Sequence, residues 1–144
     1  MIKEDYCSYE VAKLLKEKGF DEACYSYYMT TKTLHTTFHN RVHVEEEPYF
    51  NSGDLDGMYD VEDKSLIEDI CSAPTHQMTC KWLREVHNLF VEIHVSIDLN
   101  GNYHYSYSVL DKECKFLRKG YTDFDWTYED AAEAAIKYCL ENLI

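Results

Sequence analysis

Residues 74–110, PTHQMTCKWLREVHNLFVEIHVSIDLNGNYHYSYSVL, decide the fold, because their apolar spacing changes partway along. In the first part Met78, Trp82, Leu83 and Val86 recur at intervals of three and four, which gathers side chains onto one side of a helix. Gln77, Lys81, Arg84, Glu85 and Asn88 fall on the other side. Thr75 suits the N-cap, since its hydroxyl accepts from a backbone N–H that the helix leaves unpaired. Pro74 discourages any helix running in from upstream. Asn88 can close the helix in the left-handed region.

From Leu89 the period is two. Leu89, Val91, Ile93, Val95 and Ile97 point one way, and Phe90, Glu92, His94, Ser96 and Asp98 the other. On the return, Tyr103, Tyr105, Tyr107 and Val109 alternate with His104, Ser106, Ser108 and Leu110. A two-residue turn at Asn100-Gly101 would set Ile97 beside His104 and mix apolar with polar on one face. A three-residue loop, Leu99-Asn100-Gly101 with Gly101 left-handed, pairs Ile97 with Tyr103, Val95 with Tyr105 and Ile93 with Tyr107. The longer loop is therefore expected, with Asp98 leading it and bonding forward.

Upstream, SYEVAKLLKEKGF reads as a helix capped by Ser8, with Val11, Leu14 and Leu15 as its apolar stripe. Gly19 ends it at the C′ position and turns Phe20 back onto Leu15. ACYSYYMTT reads as a strand, with Tyr25, Tyr27 and Met29 on one face and Tyr28 facing outward. Residues 32–47 suggest a second hairpin turning near Asn40. NSGDLDGMYDVED reads as an acidic surface loop, and KSLIEDI as a short strand or helical turn. One more strand is expected around Cys114, Phe116 and Leu117, broken at Gly120. The chain closes with WTYEDAAEAAIKYCLENLI, a helix with Thr127 and Asp130 as a capping-box pair and Tyr128, Ala132, Ala135, Ile136, Cys139, Leu140 and Leu143 along one side. The apolar face of the 89–109 hairpin is its natural bed.

The fold class expected is α+β: antiparallel hairpins covered on one face by about three helices, in a single domain spanning residues 1–144. At that length a chain buries roughly 68–70% of its unfolded surface, enough for a core without staples. A formal charge of −13 argues against direct binding of a phosphate backbone and favours a basic partner. No run reaches the roughly 20 apolar residues that cross a bilayer, and no signal peptide is evident, so no membrane association and a cytoplasmic location are expected. The six scattered cysteines contain no CxxC pair and are expected as free, mostly buried thiols.

Four constellations bear on chemistry. His35, His39 and His43 recur every four residues, but on a strand such spacing strings them about 13 Å apart, so they are weak metal candidates. Asp54, Asp56, Gly57, Asp60 and Asp63 overlap a calcium-loop pattern, yet Ser52 stands at its first position and no glutamate closes it. Cys80 with His76 or His87 could pair nucleophile and base, but the sequence shows no third, orienting group. Thirteen tyrosines offer recognition surface, although Tyr103, Tyr105 and Tyr107 are expected to line the core. Tyr28, His94 and Arg84 are the candidate binding residues; no catalytic residue and no cofactor are expected, and an enzyme is the less favoured class.

YEVAKLLKEKGF, CYSYYM, APTHQMTCKWLREVHNLFVEIHV and TYEDAAEAAIKYCLENLI resemble a family of small uncharacterised proteins encoded by gut-dwelling bacteria, their prophages and their phages. The likeness covers residues 9–29 and 73–144; residues 30–72 depart from it. It implies a mobile-element setting and carries no activity, cofactor or site. At the level of shape, the hairpin followed by a helix is also similar to small antitoxin domains, which does not fix function. The expected role is a non-catalytic accessory protein that binds a protein partner or small ligand in the host cytoplasm. The alternative is an anti-defence protein that sequesters a nucleotide signal or mimics nucleic acid. Homo-oligomers are open to it through exposed hairpin edges.

Overall fold

The structure, a computed structural model, describes residues 2–36, 50–51 and 70–144. The chain is α+β, and its described residues form three helices and two separate three-stranded antiparallel sheets. It forms two compact units, residues 6–74 and residues 1–5 with 75–144. Each unit holds one of the sheets.

In the first unit, α1 (Tyr9–Glu17) begins where Ser8 Oγ accepts the Val11 N–H at 3.3 Å. It ends as expected: Gly19 is left-handed, its N–H reaches the Lys16 carbonyl, and the Phe20 N–H reaches that of Leu15. Leu15 and Phe20 are both fully buried, whereas Leu14 is only half-buried. Strands β1 (Ser26–Tyr28), β2 (Leu34–Thr36) and β3 (Cys71–Ser72) form a sheet in the order β2-β1-β3. The β1–β2 hairpin turns at 29–33, where Lys32 takes a left-handed φ of 62° and closes a three-residue loop; the hairpin expected over residues 32–47 lies mostly outside the described residues. Asn40 itself lies outside the described residues, as do the calcium-like loop at 52–63 and most of KSLIEDI. Ile70, the last residue of that segment, is fully buried, and its carbonyl accepts from Lys16 Nζ at 2.6 Å.

In the second unit, α2 (His76–His87) starts at Thr75, whose hydroxyl accepts the Met78 N–H at 3.2 Å, and closes at Asn88 with φ 55°. The Asn88 and Leu89 N–H groups both reach the Leu83 carbonyl. Its buried side is Thr79, Trp82 and Leu83, which corrects the expected stripe. Val86 is 55% exposed, and Thr79 takes a core position because its hydroxyl is satisfied by the Thr75 carbonyl at 3.0 Å.

Strands β4 (Phe90–Ile97) and β5 (Tyr103–Leu110) pair as the face argument requires, with Ile93 opposite Tyr107, Val95 opposite Tyr105 and Ile97 opposite Tyr103. Gly101 is left-handed at φ 83°, and Asp98 Oδ1 accepts the Asn100 and Asn102 N–H groups at 2.8 and 2.9 Å. Strand β6 (Phe116–Thr122) completes the order β4-β5-β6. Gly120 does not break it: left-handed Gly120 forms a bulge whose N–H is taken up by Ser108 Oγ at 3.0 Å, and the strand continues.

Helix α3 (Tyr128–Asn142) carries both capping-box bonds between Thr127 and Asp130, at 2.9 and 3.1 Å. It packs on β4 and β5 and buries Ala131, Ala132, Ala135, Ile136, Cys139 and Leu140. Tyr128, expected in that stripe, is 52% exposed. Beside the helix, Tyr107 stacks on Trp126 at 6.0 Å, and the Arg118 guanidinium lies 4.1 Å from the Tyr121 ring and 4.9 Å from Tyr138.

Candidate functional site

The β4–β5 face is buried at one end only. Tyr107 and Val109 are 2% and 0% exposed under α3, but Val95, Ile97 and Tyr103 toward the turn are 60%, 62% and 66% exposed. The alternation that makes a strand half-apolar continues past the point where the helix covers it. Ile93, Val95, Tyr103, Tyr105 and Tyr128, with His94 at the margin, line a shallow depression of about 310 Å³. Tyr105 and Tyr128 meet edge to face at 6.1 Å. Tyr103, Tyr105 and Tyr107 thus do not share one environment: the first is exposed, the second half-buried and the third core.

The segments that form this strip are acidic in sequence. No lysine or arginine occurs from residue 85 to 111, where Glu85, Glu92, Asp98 and Asp111 stand. None occurs from 120 to 136 either, where Asp123, Asp125, Glu129, Asp130 and Glu133 stand.

A second depression, a cleft of about 610 Å³, runs between α2, β4 and the start of α3 and shares Ile93 and Tyr128 with the first. Lys3, Lys81 and Arg84 line it, balanced by Glu4, Asp5 and Glu129. His76 also faces it and is held by Glu133, Nε2 to Oε2 2.7 Å. That carboxylate is the orienting group the sequence did not reveal, since it comes from a helix 57 residues away. It does not complete a nucleophilic pair with Cys80. Burial pushes the Cys80 thiol up to about 11, with Arg84 opposing the shift, so the sulfur stays protonated at neutral pH. His87 instead lies edge-on to Trp82 at 4.5 Å, and burial lowers its pKa.

Of the candidate binding residues, Arg84 lines the cleft and His94 lines the strip, 3.6 Å from Glu92. Tyr28 is a correction: it is 8% exposed, its hydroxyl donates to the Cys7 carbonyl at 2.7 Å, and its ring packs with Ala12, Cys71 and Ala73. The strand's alternation puts Tyr27 outward, and Tyr27 stacks on exposed His35 at 5.7 Å. His39 and His43 lie outside the described residues, so the three-histidine arrangement is not on view. All six cysteines are free thiols; four are buried, Cys80 is half-buried and Cys114 is exposed. Among the described residues no helix is long and apolar enough to cross a membrane.

No family model matches the chain, and neither the curated proteins nor the solved structures contain a significant match.

Proposed function

We propose that this is a non-catalytic accessory protein of the phage or prophage type, acting in the host cytoplasm by binding a basic protein partner on the β4–β5 face. The observation that carries the reading is the exposed strip of Val95, Ile97 and Tyr103, on segments that hold acids and no lysine or arginine, in a chain of formal charge −13. Exposed apolar area of this kind is costly in water unless a partner covers it, and aromatic side chains anchor such contacts at low entropy cost. The acidic segments add attraction for a cationic partner and speed its encounter.

The test compares affinity capture from host lysate by the native protein and by a Val95→Ser/Tyr103→Ser variant. A basic protein held by the first and lost from the second supports the reading, and identical captures from both refute it. A second reading, capture of a small nucleotide-like ligand, is favoured by Arg84 and Tyr128 lining one cleft. Native mass spectrometry of the purified protein tests it: a retained small ligand that Arg84→Ala releases would place binding in the cleft rather than on the strip.

A further inference from the structure

We infer that the partner engages as an added strand on the edge of β4 that no described strand pairs with, an extended basic segment whose alternate apolar side chains continue the exposed strip. This rests on the reading of the β4–β5 face as a protein-binding surface. The two edges of the sheet are treated differently. The β6 edge is blunted by two register shifts, by left-handed Gly120 and by Arg118 and Lys119. Strand β4 has an unbroken eight-residue register with β5, carries no proline, lysine or arginine, and among the described residues pairs with no other strand. Such an edge presents backbone N–H and C=O groups that a further strand can take up.

The cleft and the shallow depression adjoin at Ile93 and Tyr128 and run past Val91, Ile93 and Val95, about 13 Å of strand; Lys3, Lys81 and Arg84 line the cleft at the Val91 end, so the cationic side chains of the segment belong toward Val95 and Ile97. A strand placed there, roughly 4.8 Å from β4, sets every second side chain beside Val91, Ile93, Val95 and Ile97. Its intervening side chains lie beside Glu92, where a lysine or arginine makes a favourable cross-strand pair. A second copy of this chain fits less well, because an antiparallel β4 pair brings together two molecules each carrying −13.

The probe is an acetylated, amidated nine-residue peptide of alternating lysine and valine, compared with the same composition rearranged to helical spacing. Amide hydrogen exchange and chemical shifts of the full chain are the readouts. The alternating peptide should slow exchange of the β4 amides that point away from β5 by at least about tenfold at saturation. The helical one should not. N-methylating alternate peptide amides should abolish protection in one of the two possible patterns and spare it in the other, since a strand offers one edge at a time. Shifts at Val95 and Tyr103 without β4 protection would overturn strand addition while leaving the surface reading intact. No perturbation of the strip by either peptide would remove the surface reading itself. Protected β4 amides in a dimer without peptide would make a second copy the occupant and overturn the inference.

Discussion

Three hairpins of this chain turn through the same three-residue loop, and a single residue in each bears its conformational cost. The left-handed position is Lys32 in the first, Gly101 in the second and Cys114 in the third, with φ of 62°, 83° and 60°. Only glycine adopts it without a Cβ meeting the next carbonyl. Cys114→Gly should therefore raise the unfolding free energy by about 1 kcal/mol, and Gly101→Ala should lower it by a similar amount, both read from urea denaturation midpoints. Space is not the cause at Gly101, since nothing lies within 4 Å of a Cβ there. Beside that loop, His104 donates from Nε2 to Asp98 Oδ2 at 3.0 Å and faces the Phe124 carbonyl from Nδ1 at 3.4 Å. Both partners are acceptors, so the imidazolium with two N–H groups is the form that suits the site. The His104 bond, reinforced by the Asn102 and Asn100 donors, holds the Asp98 carboxyl well below its ordinary 3.8. Asp98, with the Phe124 carbonyl and Asp125, raises His104 above 6.5 against partial desolvation. A depressed carboxyl stabilises the fold above 3.8 and loses that contribution as the pH falls. A raised imidazole stabilises it below 6.5 and loses that as the pH rises through the folded value. The pair is thus worth most between about pH 4 and 6.5. An NMR titration should place the His104 midpoint above 6.5, and Asp98→Asn should return it toward that value.

At the scale of the element, what could be read from the sequence follows from whether local chemistry or distant packing decides. The caps at Ser8, Thr75 and Thr127, the stops at Gly19 and Asn88, and the β4–β5 register each depend on residues within a few positions, and all form as their side chains require. The errors fall where a partner from elsewhere sets burial. Val86 was one apolar residue too many for a face that Thr79 could fill, and Tyr128 sits at the start of α3, where it borders the open strip. Tyr28 turns inward against expectation because a three-residue strand gives too short an alternation to choose a face. The candidate site was half legible: apolar alternation marked the ribbon, but only the extent of α3 determines how much of it stays open. The same contrast predicts unequal costs. Trp82→Ala, at a position 6% exposed, should lose about 3–5 kcal/mol. Val95→Thr, at 60% exposure, should stay within about 0.5 kcal/mol and report on binding instead. Thermal or urea unfolding of the two variants side by side checks both.

For the molecule as a whole, charge and exposed apolar area oppose each other. A formal charge of −13 repels copies at neutral pH, while Val95, Ile97 and Tyr103 favour their association. The repulsion fades as the pH approaches the sequence pI of about 4.8. It also fades when salt shortens the screening length from about 10 Å at 0.1 M toward 3 Å at 1 M. Sedimentation velocity should then find a single slow species at pH 7.5 in low salt and larger ones near pH 5. A Val95→Lys/Ile97→Lys variant separates the two causes, because it moves the formal charge from −13 to −11 and so weakens repulsion while deleting the apolar strip. If net charge alone governs, that variant associates at a higher pH than the native chain. If the strip supplies the attraction, the variant stays small at pH 5, because lowered repulsion brings copies together only where a surface remains for them to share.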